Sequence, residues 1–251
     1  MNRRHCLRSV SASACAWLLP ALAQPAAPLV RMGYFDKFSP FSEKDDGGQM
    51  RGLLVESVDL VGGLAGITLE HYGYPWARAQ LLVRQGELDG FCTVQTTERS
   101  AYADFCPTPL LRVALGVYHR RGDSRIAQIS SVADMRDLRQ GGYIGSGYVK
   151  EHLEADRLSL EPDQDAVLRR LLNGSLDVFP QAEIVTWLRI KALGYADRLQ
   201  FTPLPFLPAA SYNFGLRRSY PDAPALLARM ESAIQTASKK GTLQALQARY
   251  R

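Results

Sequence analysis

Gly145-Ser146-Gly147-Tyr148 is a run whose residue types already suggest chemistry. Serine caps helix N-termini well, and glycines let a backbone approach a small ligand. A helix opening after this run would turn N–H groups and partial positive charge toward an anion. A plain capped turn is the structural alternative. The run is not a phosphate loop, which needs Gly-Lys-Ser/Thr after its spacing, nor the Gly-x-Ser-x-Gly elbow of a serine nucleophile. No Ser/His/Asp pattern marks a nucleophile elsewhere. His71, His119 and His152 have no ligand-like spacing to each other or to the cysteines, so no zinc site is expected. Neither metal nor cofactor is implied.

Strands alternating with helices must position this run. Residues 29–34 read as a first strand, and 35–48 as a loop rich in Phe, Ser, Pro, Asp and Gly. Leu53, Leu54, Val58, Leu60, Val61 and Leu64 fall at helical spacing. A strand over 67–72, a helix over 76–84 and a strand over 88–94 follow. A second such unit has strands over 112–118, 141–144 and 176–179. Its helices are expected over 148–153, 165–172 and 183–193. An extended stretch over 201–206, a strand over 212–216 and helix over 223–250, broken at Gly241, complete the chain. This order implies an α/β fold with mostly parallel sheets covered on both faces. The segment 81–91 also echoes 168–179. Each has a helix, a glycine stop, then Leu-Asp (Leu88-Asp89 and Leu176-Asp177) and an apolar strand. Two similarly built lobes would explain it.

The first 23 residues read as an address. Asn2 to Arg8 is basic, Val10 to Leu22 is short and apolar, and Ala21-Leu22-Ala23 supplies small residues before Gln24. This is a secretory signal pattern with cleavage expected after Ala23. Arg3-Arg4 also fits a twin-arginine signal. Cys15 sits in a poor lipobox, so no lipid anchor is expected. The whole chain has 251 residues and a formal charge of +5. Removing the signal leaves +2 over 228 residues. That balance removes the electrostatic case for nucleic acid. It also leaves Cys92 and Cys106, which could form one disulfide or remain buried thiols. No later segment is long and apolar enough for a membrane span.

Three segments resemble the type II periplasmic solute-binding proteins of family 3, which serve amino-acid ABC importers. They are Trp76-Ala77-Arg78-Ala79-Gln80-Leu81-Leu82 through Gly90, Thr96-Thr97-Glu98-Arg99 through Pro107, and Asn173-Gly174-Ser175-Leu176-Asp177 through Glu183. Lys240-Gly241-Thr242-Leu243 through Tyr250 fits the family's closing helix. The resemblance spans about 29–251. It implies a two-lobed fold, with lobe 1 over 29–109 plus 212–251 and lobe 2 over 114–207. The implied hinge crosses near 109–113 and 208–212. Such proteins close around a ligand by hinge bending.

The resemblance makes Arg99, with Thr96 beside it, the carboxylate-binding arginine; alone it would read as a surface arginine at a helix start. A planar guanidinium holds a carboxylate with two parallel charge-assisted bonds. Ser146 and Gly147 become the second-lobe clamp on the same carboxylate. Phe38 and Trp76 match aromatics that pack on the ligand, and Asp36 matches an acid that meets cationic side chains in some members. The departures matter too. The acid that usually holds the ammonium is Ala182 here, and the usual Gly and Thr of the first-lobe strand are Cys92 and Val94. A buried ammonium without a counter-charge is costly. Either the ligand is a carboxylate other than a standard α-amino acid, or a relocated acid serves, with Glu183 and Asp36 the candidates. Gln181 could add an amide contact.

The implied function is a monomeric periplasmic binding protein delivering a small carboxylate solute to an inner-membrane ABC permease. A cyclohexadienyl-dehydratase-like enzyme using Glu183 as general acid is one alternative. A ligand-sensing or partner-facing binding protein without a transport role is another.

Overall fold

The computed structural model describes residues 27–147, 151 and 157–250. The expected export signal and most of the expected helix over 148–153 lie outside these residues. Two sheets organise the chain. The first joins β1 (Leu29–Phe35), β5 (Thr68–Tyr74), β6 (Gly90–Val94), β7 (Ala103–Phe105), β8 (Leu111–Val113) and β14 (Ala210–Arg217), in the order β5-β1-β6-β14-β7 with β8 also on β14. The second joins β9 (Leu115–Arg120), β10 (Gln140–Tyr143), β11 (Leu158–Glu161), β12 (Val178–Ala182) and β13 (Leu199–Pro203), in the order β11-β10-β12-β9-β13.

The sheets are mixed and not mostly parallel, which corrects the expectation. β1, β5 and β6 run parallel, as do β10, β11 and β12. β14 is antiparallel to β6, β7 and β8, and β9 is antiparallel to β12 and β13. The reason is connectivity. The chain leaves the first sheet at β8, enters the second as β9, and returns as β14. Strands that enter and return in this way run against the βα units already there.

Helices cover both sheets. α1 (Leu53–Ala65), α6 (Ala223–Lys239) and α7 (Thr242–Ala248) pack together on the first sheet, and α2 (Trp76–Gln85) packs against β1, β5 and β6. The single turn α3 (Thr97–Ser100) follows β6. α4 (Gln164–Leu172) lies on β10 to β12, and α5 (Glu183–Ala192) on β12 and β13. The break at Gly241 falls between α6 and α7.

The segment 35–48, expected to be a loop, contributes to a small sheet of β2 (Lys37–Phe38), β3 (Ser42–Lys44) and β4 (Met50–Arg51). Its strands are too short for alternation to show in the sequence. Its link to α1 depends on Gly52, at φ 118°, where a Cβ would stand 2.7 Å from the Phe41 carbonyl oxygen. Only glycine accepts that backbone without strain. The Pro40 and Phe41 carbonyls then accept from the N–H groups of Leu53 and Leu54, which fixes the loop carrying Phe38 onto the helix.

The echo between the two halves has a structural basis. Asp89 accepts from the Arg31 backbone N–H and guanidinium, and from Arg217. Asp177 accepts from the Arg139 backbone N–H and guanidinium, and from Arg125. Both carboxylates are buried. In each sheet an arginine at a strand start grips the aspartate of the Leu-Asp pair.

Candidate functional site

The cleft between the lobes lies at the C-terminal ends of the parallel strands, where α/β sheets place ligands. Phe35, Val94, Tyr143 and Gln181 come from the ends of β1, β6, β10 and β12. They line a cavity of about 60 Å³.

Arg99 reaches this cavity from α3, and Thr96 caps that turn by accepting from the Arg99 N–H at 3.2 Å. Arg99 is only 3% exposed, so it is no surface arginine. Its Nε donates to Gln80 Oε1 at 2.8 Å, Nη1 to the Val94 carbonyl at 2.7 Å and Nη2 to the Gly145 carbonyl at 3.0 Å. Its guanidinium sits 5.2 Å from the Trp76 ring centre, within cation–π range. All three acceptors are neutral oxygens, and Arg99 makes no salt bridge among the described residues. Burial therefore lowers its pKa from the usual arginine value. Of the five guanidinium N–H groups, one on each terminal nitrogen remains after these bonds. Such a pair is a donor set that a carboxylate can accept from.

The second lobe closes over Arg99 through the Gly-Ser-Gly run. Gly145 has φ 91°, a conformation that L side chains rarely adopt, and its carbonyl also accepts from Gln80 Nε2 at 3.2 Å. A Cβ on Gly147 would stand 2.9 Å from Thr96 Cγ2 and 3.4 Å from Arg99 Nη2. Gly147 and Glu151 are helical, and the Thr97 N–H donates to the Glu151 carboxylate.

The rest of the wall is aromatic. The Phe35 and Phe38 rings stack at 5.7 Å, and Tyr143 meets them at 5.4 and 5.9 Å. Tyr34, Tyr143 and Tyr212 line the cavity, and burial pushes all three hydroxyls up in pKa, so they stay neutral. Hydrogen bonds from Gln181 and Ser146 act on Tyr143 in the opposite sense.

Eight expected residues meet at the cavity: Phe38, Trp76, Cys92, Val94, Arg99, Ser146, Gly147 and Gln181. Thr96 lies behind Arg99 as its cap. Three do not line it. Ala182 is fully buried at the end of β12. Asp36 is half-buried in a charged groove with Lys37, Asp163 and Arg189. Glu183 is exposed at the start of α5, in a separate groove with Arg112 and Gln247. The relocation idea therefore loses its position: neither acid faces the cavity. Sequence reading missed Tyr34, Phe35, Tyr143, Tyr212 and Gln80. Two of these had signals: Gln80 lies one helical turn beyond Trp76, and Tyr143 just precedes the Gly-Ser-Gly run.

Cys92 and Cys106 are free thiols. β14 runs between them: Cys92 pairs with Phe214, and the Cys106 N–H donates to the Phe214 carbonyl. Two strand spacings separate them by roughly 9–10 Å, beyond the reach of a disulfide.

The family profile of the bacterial extracellular solute-binding proteins, family 3, matches residues 30–251. The chain belongs to this family. No curated sequence is significantly similar to this family 3 chain. Solved structures share its fold. A histidine kinase sensor domain with similarity to periplasmic binding proteins has a TM-score of 0.76 at 21% identity, covering 90% of this chain and 97% of its own. The arginine-bound amino-acid ABC transporter substrate-binding protein AbpA of Streptococcus pneumoniae has a TM-score of 0.71 at 22% identity, covering 88% and 94%. The ancestral amino-acid-binding protein AncCDT-1, a precursor of cyclohexadienyl dehydratase, has a TM-score of 0.70 at 19% identity, covering 88% and 94%.

Proposed function

We propose that this family 3 chain captures a small carboxylate-bearing solute between its lobes and delivers it to the permease of an ABC importer. One observation carries the reading: Arg99 is a buried cation whose described protein partners are all neutral, with one N–H on each terminal nitrogen to spare. A buried charge needs a partner, and a carboxylate fits this one. In this reading residues 1–23 export the chain to the periplasm, where it works as a monomer. Lobe 1 is 29–109 plus 212–251, lobe 2 is 114–207, and the hinge lies near 109–113 and 208–212.

The reading is tested by thermal shift of the purified protein against carboxylates, amino acids and polyamines. A ligand at about 100 times its Kd adds roughly 2.7 kcal/mol. Shifts confined to carboxylates support capture, and the same ligand should stimulate ATP hydrolysis by the reconstituted importer. A folded protein that no carboxylate stabilises contradicts it.

A sensing role is the second reading, favoured by the likeness to the kinase sensor domain. It predicts ligand-dependent association with a receptor ectodomain in place of stimulated ATP hydrolysis. The dehydratase reading relied on Glu183, which stands outside the cavity. We therefore read the chain as a binding protein and not an enzyme.

A further inference from the structure

We propose that the cleft selects a small monocarboxylate with a flat, uncharged body and rejects the corresponding α-amino acid. The proposal deepens the carboxylate-capture reading and rests on it. Three observations carry it.

The first is charge. The described cavity wall contains one charged side chain, Arg99, and no aspartate or glutamate. A monocarboxylate brings one negative charge to one positive charge, and the buried sum is zero. A zwitterion would leave its ammonium unpaired, and a dicarboxylate would leave its second carboxylate unpaired. Burying an unpaired charge is costly. The two acids that could have served stand in other grooves, Asp36 at the charged edge and Glu183 with Arg112 and Gln247.

The second is the shape of the aromatic wall. Phe35, Phe38 and Tyr143 pack on one another at 5.4 to 5.9 Å. Together they form an apolar wall suited to a flat body.

The third is size. A cavity of about 60 Å³ is about twice the roughly 30 Å³ that one water occupies in the liquid. The ligand accordingly has few non-hydrogen atoms.

The test is titration calorimetry of the purified protein with matched pairs: butanoate against 2-aminobutanoate, and propanoate against alanine. Succinate and glycine betaine serve as the dicarboxylate and quaternary-ammonium controls. The expected result is that the monocarboxylate binds at least tenfold more tightly than its amino counterpart, and that both controls bind more weakly than it does. A second variant makes the prediction reversible. Gln181 lines the cavity and its Oε1 accepts from the Ala182 N–H at 2.9 Å, a bond that a glutamate oxygen keeps. Gln181→Glu should raise affinity for the amino acid and lower it for the monocarboxylate, each at least tenfold. An amino acid, betaine or succinate binding as tightly as the monocarboxylate to the wild-type protein overturns the selectivity proposal and leaves carboxylate capture standing. No binding by any of the six compounds to a folded protein overturns capture itself and the proposal with it.

Discussion

Arg99 and Gly145 meet across the cleft, with Nη2 of the arginine 3.0 Å from the glycine carbonyl oxygen. One belongs to the turn after β6, the other to the turn after β10. The guanidinium that marks the candidate carboxylate site therefore also ties the lobes together.

Gln80 holds both partners of that contact, accepting from Arg99 and donating to Gly145. Gln80→Ala should strip Arg99 of its Nε acceptor, a buried loss of about 1–3 kcal/mol. Gln80→Glu should keep the acceptor but add a charge that competes with the ligand. Calorimetry and melting should show Gln80→Ala losing both stability and affinity, and Gln80→Glu losing affinity more than stability. Equal affinity in all three proteins would remove Gln80 from the site.

Gly147→Ala should hold the lobes apart, because its Cβ would press on Thr96 and Arg99. Solution scattering should give a larger radius of gyration, and ligand affinity should fall. Gly63→Ala is the control: nothing lies within 4 Å of its Cβ, and it sits inside α1. That change should stabilise the protein by about 0.5–1 kcal/mol and leave affinity alone.

Cys92 and Cys106 should react with thiol reagents only after unfolding. Burial pushes the Cys106 thiol up to about 12 and the Cys92 thiol above its ordinary value as well. Two thiols per chain in denaturant without reductant is the expected count for protein lacking residues 1–23. A count of zero would contradict the strand spacing between them.

Acid should destabilise the fold through Asp89 and Asp177. Their arginine partners lower both carboxyls below the ordinary 3.8. The unfolded chain therefore binds these protons first. The stabilisation is fully present above about pH 4 and fades as pH falls through the folded-state values. Asp177→Asn should cost about 1–3 kcal/mol at neutral pH and flatten the acid limb of a stability curve. Superimposable acid limbs would contradict this.

The alternation of βα units and the Leu-Asp echo were legible because each rests on local pattern. Asp89 and Asp177 show why the echo was real, since the same arginine grip recurs in each sheet. Cys92 and Val94 could be placed at the site from the segment that carries the family resemblance. Tyr34 and Phe35 could not, because the alternation of β1 hides which side chains reach the cleft. Glu183 was misplaced for a related reason. Its neighbour Gln181 faces the cavity, but helix α5 starts at Glu183 itself and carries it into a separate groove. Sequence distance of two residues says nothing about which groove a side chain takes where a strand gives way to a helix.

The most direct test of the account is the affinity of the preferred monocarboxylate for wild-type protein, Arg99→Lys and Arg99→Ala, measured by calorimetry on samples shown to be folded. Lysine keeps the charge but loses the fork, so at least one charge-assisted bond should go, roughly 1.5–3 kcal/mol or on the order of ten- to a hundredfold in Kd. Alanine should abolish binding. Unchanged affinity in either folded variant would contradict the assignment of Arg99 as the carboxylate-binding residue.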